Sequence, residues 1–390
     1  MSGSVLRKLS IVLVCGASWA GFAHAMPGNG SHPHLCKLKF KSTDYPTGTD
    51  PQSTVVGDFN KDGKLDFAQV NYSNGGAGSV DVFLGNGDGT FQAKVAYPTG
   101  RGPDALAVGD VNGDGKLDLV TGDDTGSGVS VLLGNGDGTF QTHVDYHAGS
   151  FPHWVALADV NGDKKPDIMV ANEGDNMVGV LLNNGDGTFG TVTTFPTGME
   201  PYSLAVADFN HDGKPDLVVT GYYDSIVSIL MGNGDGTFAS HIDYPTGSSP
   251  AVVVTGDFNS DGKVDLATAN YNSGQTGSVS VLLGNGDGTF QPKADYEAGL
   301  GPDGLAVAKI NGDKFVDLVV ANLIGDTMSI LPGNGDGTFG AHADFTTGHF
   351  PLGVAVGKFR RSGKMKQDII ITNDLATTAT VFLNKSRSCE

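Results

Sequence analysis

Leu84-Gly85-Asn86-Gly87-Asp88-Gly89-Thr90-Phe91 decides the fold, because it returns. The block recurs nearly unchanged with its Phe at 91, 140, 189, 238, 290 and 339, at successive gaps of 49, 49, 49, 52 and 49 residues. Working outward, an aromatic-Pro-Thr-Gly block or a close variant begins at Tyr45, Tyr97, Tyr146, Phe195, Tyr244, Tyr296 and Phe345. On the other side lies a third block, of the form GDFNKDGKLD. Its loop starts at Asp58, Asp110, Asp159, Asp208, Asp257, Lys309 and Lys358. Self-similarity at one fixed period is the mark of a repeat architecture.

Each unit holds four short apolar runs, in the second unit over 105–109, 118–122, 129–133 and 141–146. The last two flank Gly134-Asn135-Gly136-Asp137-Gly138, a turn rich in residues that accept positive φ. Four antiparallel strands repeated seven times predict an all-β, seven-bladed propeller. The seventh unit stops at Val381-Phe382-Leu383-Asn384 without its last strand, and residues 37–45 at the start supply the missing piece. The N-terminal strand is therefore expected to complete the last blade and to remove two open sheet edges.

Residues 1–25 read separately. Arg7 and Lys8 precede a mostly apolar run over 9–20, and Ala23-His24-Ala25 has the form of a cleavage site. A lipoprotein reading through Cys15 is disfavoured by Val14, where the processing enzyme wants a small residue. The apolar run is too short to span a membrane. The expected organisation is a signal peptide at 1–25, a short segment at 26–36 and the propeller at 37–390, in a secreted chain (extracellular, or periplasmic in a Gram-negative source). Without Arg7 and Lys8 the balance is 22 basic against 43 acidic residues, or −21. Such a surface repels nucleic acid and anionic lipid and suits divalent cations. Processing leaves Cys36 and Cys389. Aligned on the repeat they fall opposite positions 88 and 90, and in an oxidising compartment they are expected to form a disulfide.

Asp58-x-Asn60-x-Asp62-Gly63-Lys64-x-Asp66 spaces oxygen donors as a calcium loop does. Side chains at positions 1, 3 and 5 converge when the backbone curls, position 7 lends a carbonyl, and the last Asp can bind through both oxygens. The pattern recurs at Asp110, Asn112, Asp114, Lys116, Asp118, at Asp208, Asn210, Asp212, Lys214, Asp216, and at Asp257, Asn259, Asp261, Lys263, Asp265. The third unit keeps Asp159, Asn161, Asp163, Lys165 and Asp167 but has Lys164 for Gly, a left-handed position that costs a side chain about 1 kcal/mol. Hard oxygens without nitrogen or sulfur favour Ca²⁺ over zinc. In the sixth unit the Lys309 ammonium is expected to fill the cation's place, and the seventh, with Lys358, Arg360 and Ser362, has lost the site. The plain alternative is that Asp-Gly loops are only hairpin turns, built from the same residues. For NGDGTF that turn reading is preferred. For the triple-Asp loops calcium is preferred, because three carboxylates repel one another without a cation.

These segments resemble the FG-GAP/VCBS repeats of bacterial secreted proteins and are similar to the calcium-bearing blades of the integrin α-subunit head. The resemblance covers residues 37–384. It implies a propeller with calcium in the hairpin between the first two strands of a blade. Its relatives include adhesion receptors, fungal lectins and propellers attached to lyases or lipases.

Comparing the units with one another, variation concentrates after each xPTG block and between the second and third strands. Following Pro51, Pro103, Pro152, Pro201, Pro250, Pro302 and Pro351 come Gln52, Asp104, His153, Tyr202, Ala251, Asp303 and Leu352. Both loops should emerge on the face opposite the metal hairpins, and binding usually lives on variable loops over a rigid scaffold. His153, Trp154, Tyr202, Tyr222 and Tyr223 are the candidate ligand-binding residues, set on blades three and four. Aromatic faces suit a sugar ring or a protein hot spot; the alternative is that the loops drift and Trp154 packs between blades. The function expected is a monomeric binding or adhesion module for a glycan or protein ligand, with structural calcium. No nucleophile elbow, His-x-x-x-His pair or phosphate loop appears, so no enzyme is expected. Two alternatives stay open: a propeller polysaccharide lyase using Arg101, His153 and a metal, and an envelope protein with no small ligand.

Overall fold

The computed structural model describes residues 38–361 and 366–386. Seven four-stranded antiparallel sheets follow one another around a ring. Blade one takes Pro51–Gly57, Asp66–Asn71, Ala77–Phe83 and Val95–Arg101 in order from the axis outward. The innermost strands of the other blades are Pro103–Gly109, Pro152–Ala158, Pro201–Ala207, Pro250–Gly256, Pro302–Ala308 and Pro351–Gly357. Each touches the next, and the last returns to Pro51–Gly57. Blade seven closes as expected: Phe40–Pro46 pairs with Thr378–Asn384, Tyr45 opposite Ala379 and Phe40 opposite Asn384. Cys36 and Cys389 lie outside the described residues, as does the segment 1–25.

Second strands such as Asp66–Asn71 and Asp167–Asn172 are buried at every position, because a mid-blade strand is covered on both faces by neighbouring blades. That explains runs of Val, Ile and Leu without the alternation of a half-exposed strand. The core therefore lies between blades, as where Val120, Val129 and Val131 of blade two meet Val155, Ile168 and Val170 of blade three. Each such side chain contributes about 1.5–3 kcal/mol by leaving water.

The repeat's two most regular blocks bolt neighbouring blades together. Phe140, 7% exposed, packs edge-on against Phe59 at 5.7 Å and Tyr97 at 5.4 Å, both from blade one. Gly138 (φ 85°) approaches so closely that a Cβ would stand 2.8 Å from Leu84, and its N–H donates to the Phe59 carbonyl at 3.1 Å. A side chain there would clash, and its backbone conformation favours Gly. Because Phe140 turns inward, residues 141–143 leave the sheet, and the outer strand runs over Val144–His147 rather than from 141. In blades one and five the 3₁₀ turns Ser73–Gly75 and Asn272–Gly274 lengthen the connection between second and third strands, which accounts for the 52-residue spacing. Among the described residues no helix is long and apolar enough to cross a membrane.

Candidate functional site

The loops between first and second strands lie at one end of the ring, beside the NGDGTF turns. In the first loop Asp58 Oδ1 and Asn60 Oδ1 both accept the Asp62 N–H, at 3.0 and 3.1 Å, so the two oxygens converge. Asp58 Oδ2 accepts from Gly63 N–H at 2.8 Å, and Asp62 Oδ1 from Lys64 N–H at 2.9 Å. Asp66 is fully buried and clips two segments together, accepting Phe59 N–H at 2.9 Å and Gly85 N–H at 2.7 Å. The pattern repeats at Asp110–Asp118, Asp159–Asp167, Asp208–Asp216 and Asp257–Asp265. Lys164 does take the left-handed conformation, at φ 69°.

The donors are all hard oxygens, and the curl they need is present, so the set fits a calcium ion by chemistry. As placed, no three His, Cys, Asp or Glu side chains among the described residues converge closely enough to hold a metal. Beside these oxygens stands the lysine at position 7, which the sequence reading used only for its carbonyl. Lys64 Nζ lies 2.6 Å from Asp62 Oδ2, Lys116 Nζ 2.9 Å from Asp114, and Lys165, Lys214 and Lys263 hold the same place at 3.5, 3.8 and 3.6 Å. The Lys64 hydrogen bond lowers Asp62, whereas burial pushes Asp66 and Asp118 up to about 6. Calcium would have to displace these ammonium groups.

Blades six and seven solve the same problem otherwise. Lys309 is exposed and does not occupy the cation's place; the Asn311 amide donates instead to Asp313 at 2.7 Å and Asp317 at 3.3 Å. In blade seven Arg360 forks onto the buried Asp368, at 2.6 and 3.2 Å, and donates to the Asn384 carbonyl.

At the opposite end the variable residues surround the axis. A cavity of about 190 Å³ opens there, lined by residues from the inner strands of all seven blades. Its polar groups include Gln52, Thr54, Asp104, His153, Tyr202 and Asp303. His153 Nε2 lies 2.9 Å from Asp104 Oδ2, and its Nδ1 3.1 Å from the Tyr202 carbonyl. Its ring lies 3.5 Å from that of Tyr202, which stacks on Tyr222 at 5.0 Å; Tyr271 follows at 6.5 Å. Burial raises the Tyr202 hydroxyl well above its usual range, with the charges of Asp303 and Asp104 adding to the effect.

Of the five candidate residues, His153, Tyr202 and Tyr222 come together as one stack. Trp154 lines the cavity and packs against the apolar clusters of blades three and four and of blades five and six. Tyr223 is 70% exposed and has no part in the stack. The rings lean on one another, with Tyr202 8% and Tyr271 2% exposed, so they present few open faces to a sugar. Asp104, Asp303, Gln52 and Thr54 join the site from blades one, two and six; the post-Pro variability marked three of them.

Fold and site together define a seven-bladed β-propeller with a polar, variable axial mouth and an Asp-rich loop face. The FG-GAP-like repeat family matches five overlapping stretches, residues 70–121, 110–170, 159–219, 208–268 and 257–320, and the chain belongs to that family. A comparison with curated protein sequences finds no match. Among solved structures, a chain described as BBS1N in complex with ARL6DN is 10% identical, with 89% of this chain and 96% of that one covered at a TM-score of 0.60. A streptogramin B lyase is 12% identical, covering 90% and 100%, TM-score 0.59. The periplasmic gluconolactonase of Pseudomonas aeruginosa is 14% identical, covering 80% and 97%, TM-score 0.56. At such identity the likeness is one of fold. It nevertheless overturns the expectation that this chain is no enzyme, since a lyase and a lactonase are built on the same ring and lack of a familiar motif does not exclude catalysis on it.

Proposed function

We propose that this chain is a secreted, calcium-stabilised binding module whose ligand enters the axial mouth on the variable face. The observation that carries the reading is the cavity itself. Its rim is built from the positions at which the repeats differ, Gln52, Asp104, His153, Tyr202, Asp303 and Leu352, over a scaffold whose other positions barely change. A concave site with an apolar wall and a few polar groups is the usual form of a small-ligand pocket. Calcium would be held by Asp58, Asn60, Asp62, Asp66 and the Lys64 carbonyl, and by their equivalents in blades two to five. There it would neutralise carboxylates at the far end of the ring and supply no chemistry to the ligand. A disulfide between Cys36 and Cys389 would tie the closing blade.

The His153–Asp104 pair at the cavity favours a second reading, turnover of a bound substrate in the same mouth. One screen reads both: a glycan array and a pull-down with the mature protein, with and without calcium, followed by product analysis of whatever is captured. The proposal expects capture that Tyr202→Ala weakens by at least about tenfold. Capture unchanged by that substitution would place the ligand elsewhere.

A further inference from the structure

The axial cavity has a charge as well as a shape. Its wall is apolar along Leu106, Val252 and Leu305, and its rim carries Asp104 and Asp303, 8% and 5% exposed. They come from blades two and six, nearly opposite each other across the seven-bladed ring. The lining holds these two carboxylates, one imidazole, and no Lys or Arg. Both nitrogens of that imidazole face acceptors, a carboxylate and a backbone carbonyl, so whichever nitrogen carries the hydrogen directs it to a protein atom. The surroundings have the same sign. Apart from Arg101, the connections at this end contain no Lys or Arg, while Asp50, Asp124, Glu173, Glu200 and Asp224 stand among them. Asp124 is buried; its Oδ2 accepts the Tyr72 hydroxyl at 3.0 Å, and its Oδ1 has no donor among the described residues.

Carboxylates in a low-dielectric wall attract a cation and repel an anion far more strongly than the same groups in water. We propose that the axial mouth is selective for a compact organic amine, whose ammonium lies between Asp104 and Asp303 and whose carbon body fills the apolar wall. The inference rests on the axial-mouth reading above and narrows it to a ligand class. It turns the site away from uronate polymers, whose carboxylates would meet those of the rim. A free amine, an amino sugar or a lysine side chain of a larger ligand would present the same head group.

The test uses three probes of one shape, cyclohexylamine, cyclohexanol and cyclohexanecarboxylate, titrated calorimetrically into the mature protein at pH 7 in calcium. The amine is expected to bind about tenfold to a hundredfold more tightly than the alcohol, the step of one charge-assisted hydrogen bond. The carboxylate is expected to bind more weakly than either. Asp303→Asn should bring the amine close to the alcohol and leave the alcohol unchanged. Equal binding of amine and alcohol, preference for the carboxylate, or no binding of any probe would overturn the amine assignment, and the wild-type ranking needs no variant to fold. If the amine fails while a screened ligand is still lost in Tyr202→Ala, only the ligand class is wrong. If that ligand survives Tyr202→Ala, the axial-mouth reading itself falls.

Discussion

At position 123 blade two carries Asp where blades one, three, five, six and seven carry Asn71, Asn172, Asn270, Asn322 and Asn373. The difference alters a buried relay. In blade five Asn270 Nδ2 donates to Ser280 Oγ at 2.9 Å, and that hydroxyl donates to Asp295 at 2.6 Å. Blade six repeats it through Asn322, Ser329 and Asp344. In blade two the Ser130 hydroxyl lies 2.6 Å from Asp123 and 2.8 Å from Asp145, and one hydrogen cannot serve two carboxylates. A protonated Asp123 restores the donor that Asn supplies elsewhere. Burial pushes Asp123 up to about 7; Ser130 and Thr121 pull it down, Asp145 raises it and the His143 charge lowers it. An unfolded Asp titrates near 4, so between about pH 4 and 7 the native state binds the extra proton. Stability therefore falls as pH rises through that window, by an amount on the order of a few kcal/mol at most. Asp123→Asn should remove this component: urea melts at pH 5 and pH 8 are expected to show the variant gaining on the wild type at the higher pH. A constant difference between the two proteins would contradict the protonated relay.

Blade seven shows how an element survives without the shared loop chemistry. Asp368 keeps the buried clip position, 1% exposed, and the Arg360 guanidinium provides its counter-charge with two hydrogen bonds. Removing one partner of a buried pair is costly because the other stays buried and charged. Arg360→Ala is expected to destabilise the protein by about 3 kcal/mol in urea denaturation, with or without calcium. A loss below about 1 kcal/mol would mean that the fork is incidental. Much at this scale was legible in the sequence. The three blocks set blade number, strand order and the closing strand, because one repeat must satisfy the same packing seven times. The outer strand's late start was not, since Phe140 reads as a strand residue until its contacts with Phe59 and Tyr97 are seen. Nor were the ammonium groups of Lys64 and its equivalents, because the turn that lays their stems over Gly87 and its counterparts is a tertiary feature. The mouth was half legible. Variability singled out Asp104, Tyr202 and Asp303, but which of them share a cavity depends on closing the ring.

Across the whole molecule the two ends of the ring differ in kind, one repetitive and rich in Asp with Lys, the other variable and acidic. If calcium fills five loops at one to ten times its Kd, each site adds roughly 0.4–1.4 kcal/mol and all five roughly 2–7 kcal/mol. That is comparable with the stability of a whole domain. Chelation should lower the melting temperature by many degrees, and calorimetric titration of calcium should count four or five sites. With the Lys64 ammonium and its equivalents beside these carboxylates, the calcium-free protein is expected to stay folded at ambient temperature, and circular dichroism in chelator should retain a β spectrum. The most direct test of the account is a paired measurement on Asp212→Ala, in a loop proposed to hold calcium, and Tyr202→Ala, in the axial mouth. Melting temperature with and without calcium, and retention of the captured ligand, are read for both at one temperature below all melts. The account predicts that Asp212→Ala loses part of the calcium-dependent stabilisation and keeps the ligand, whereas Tyr202→Ala keeps the calcium response and loses the ligand. The reverse pattern, or calcium titration with no heat and no change in melting, would contradict it.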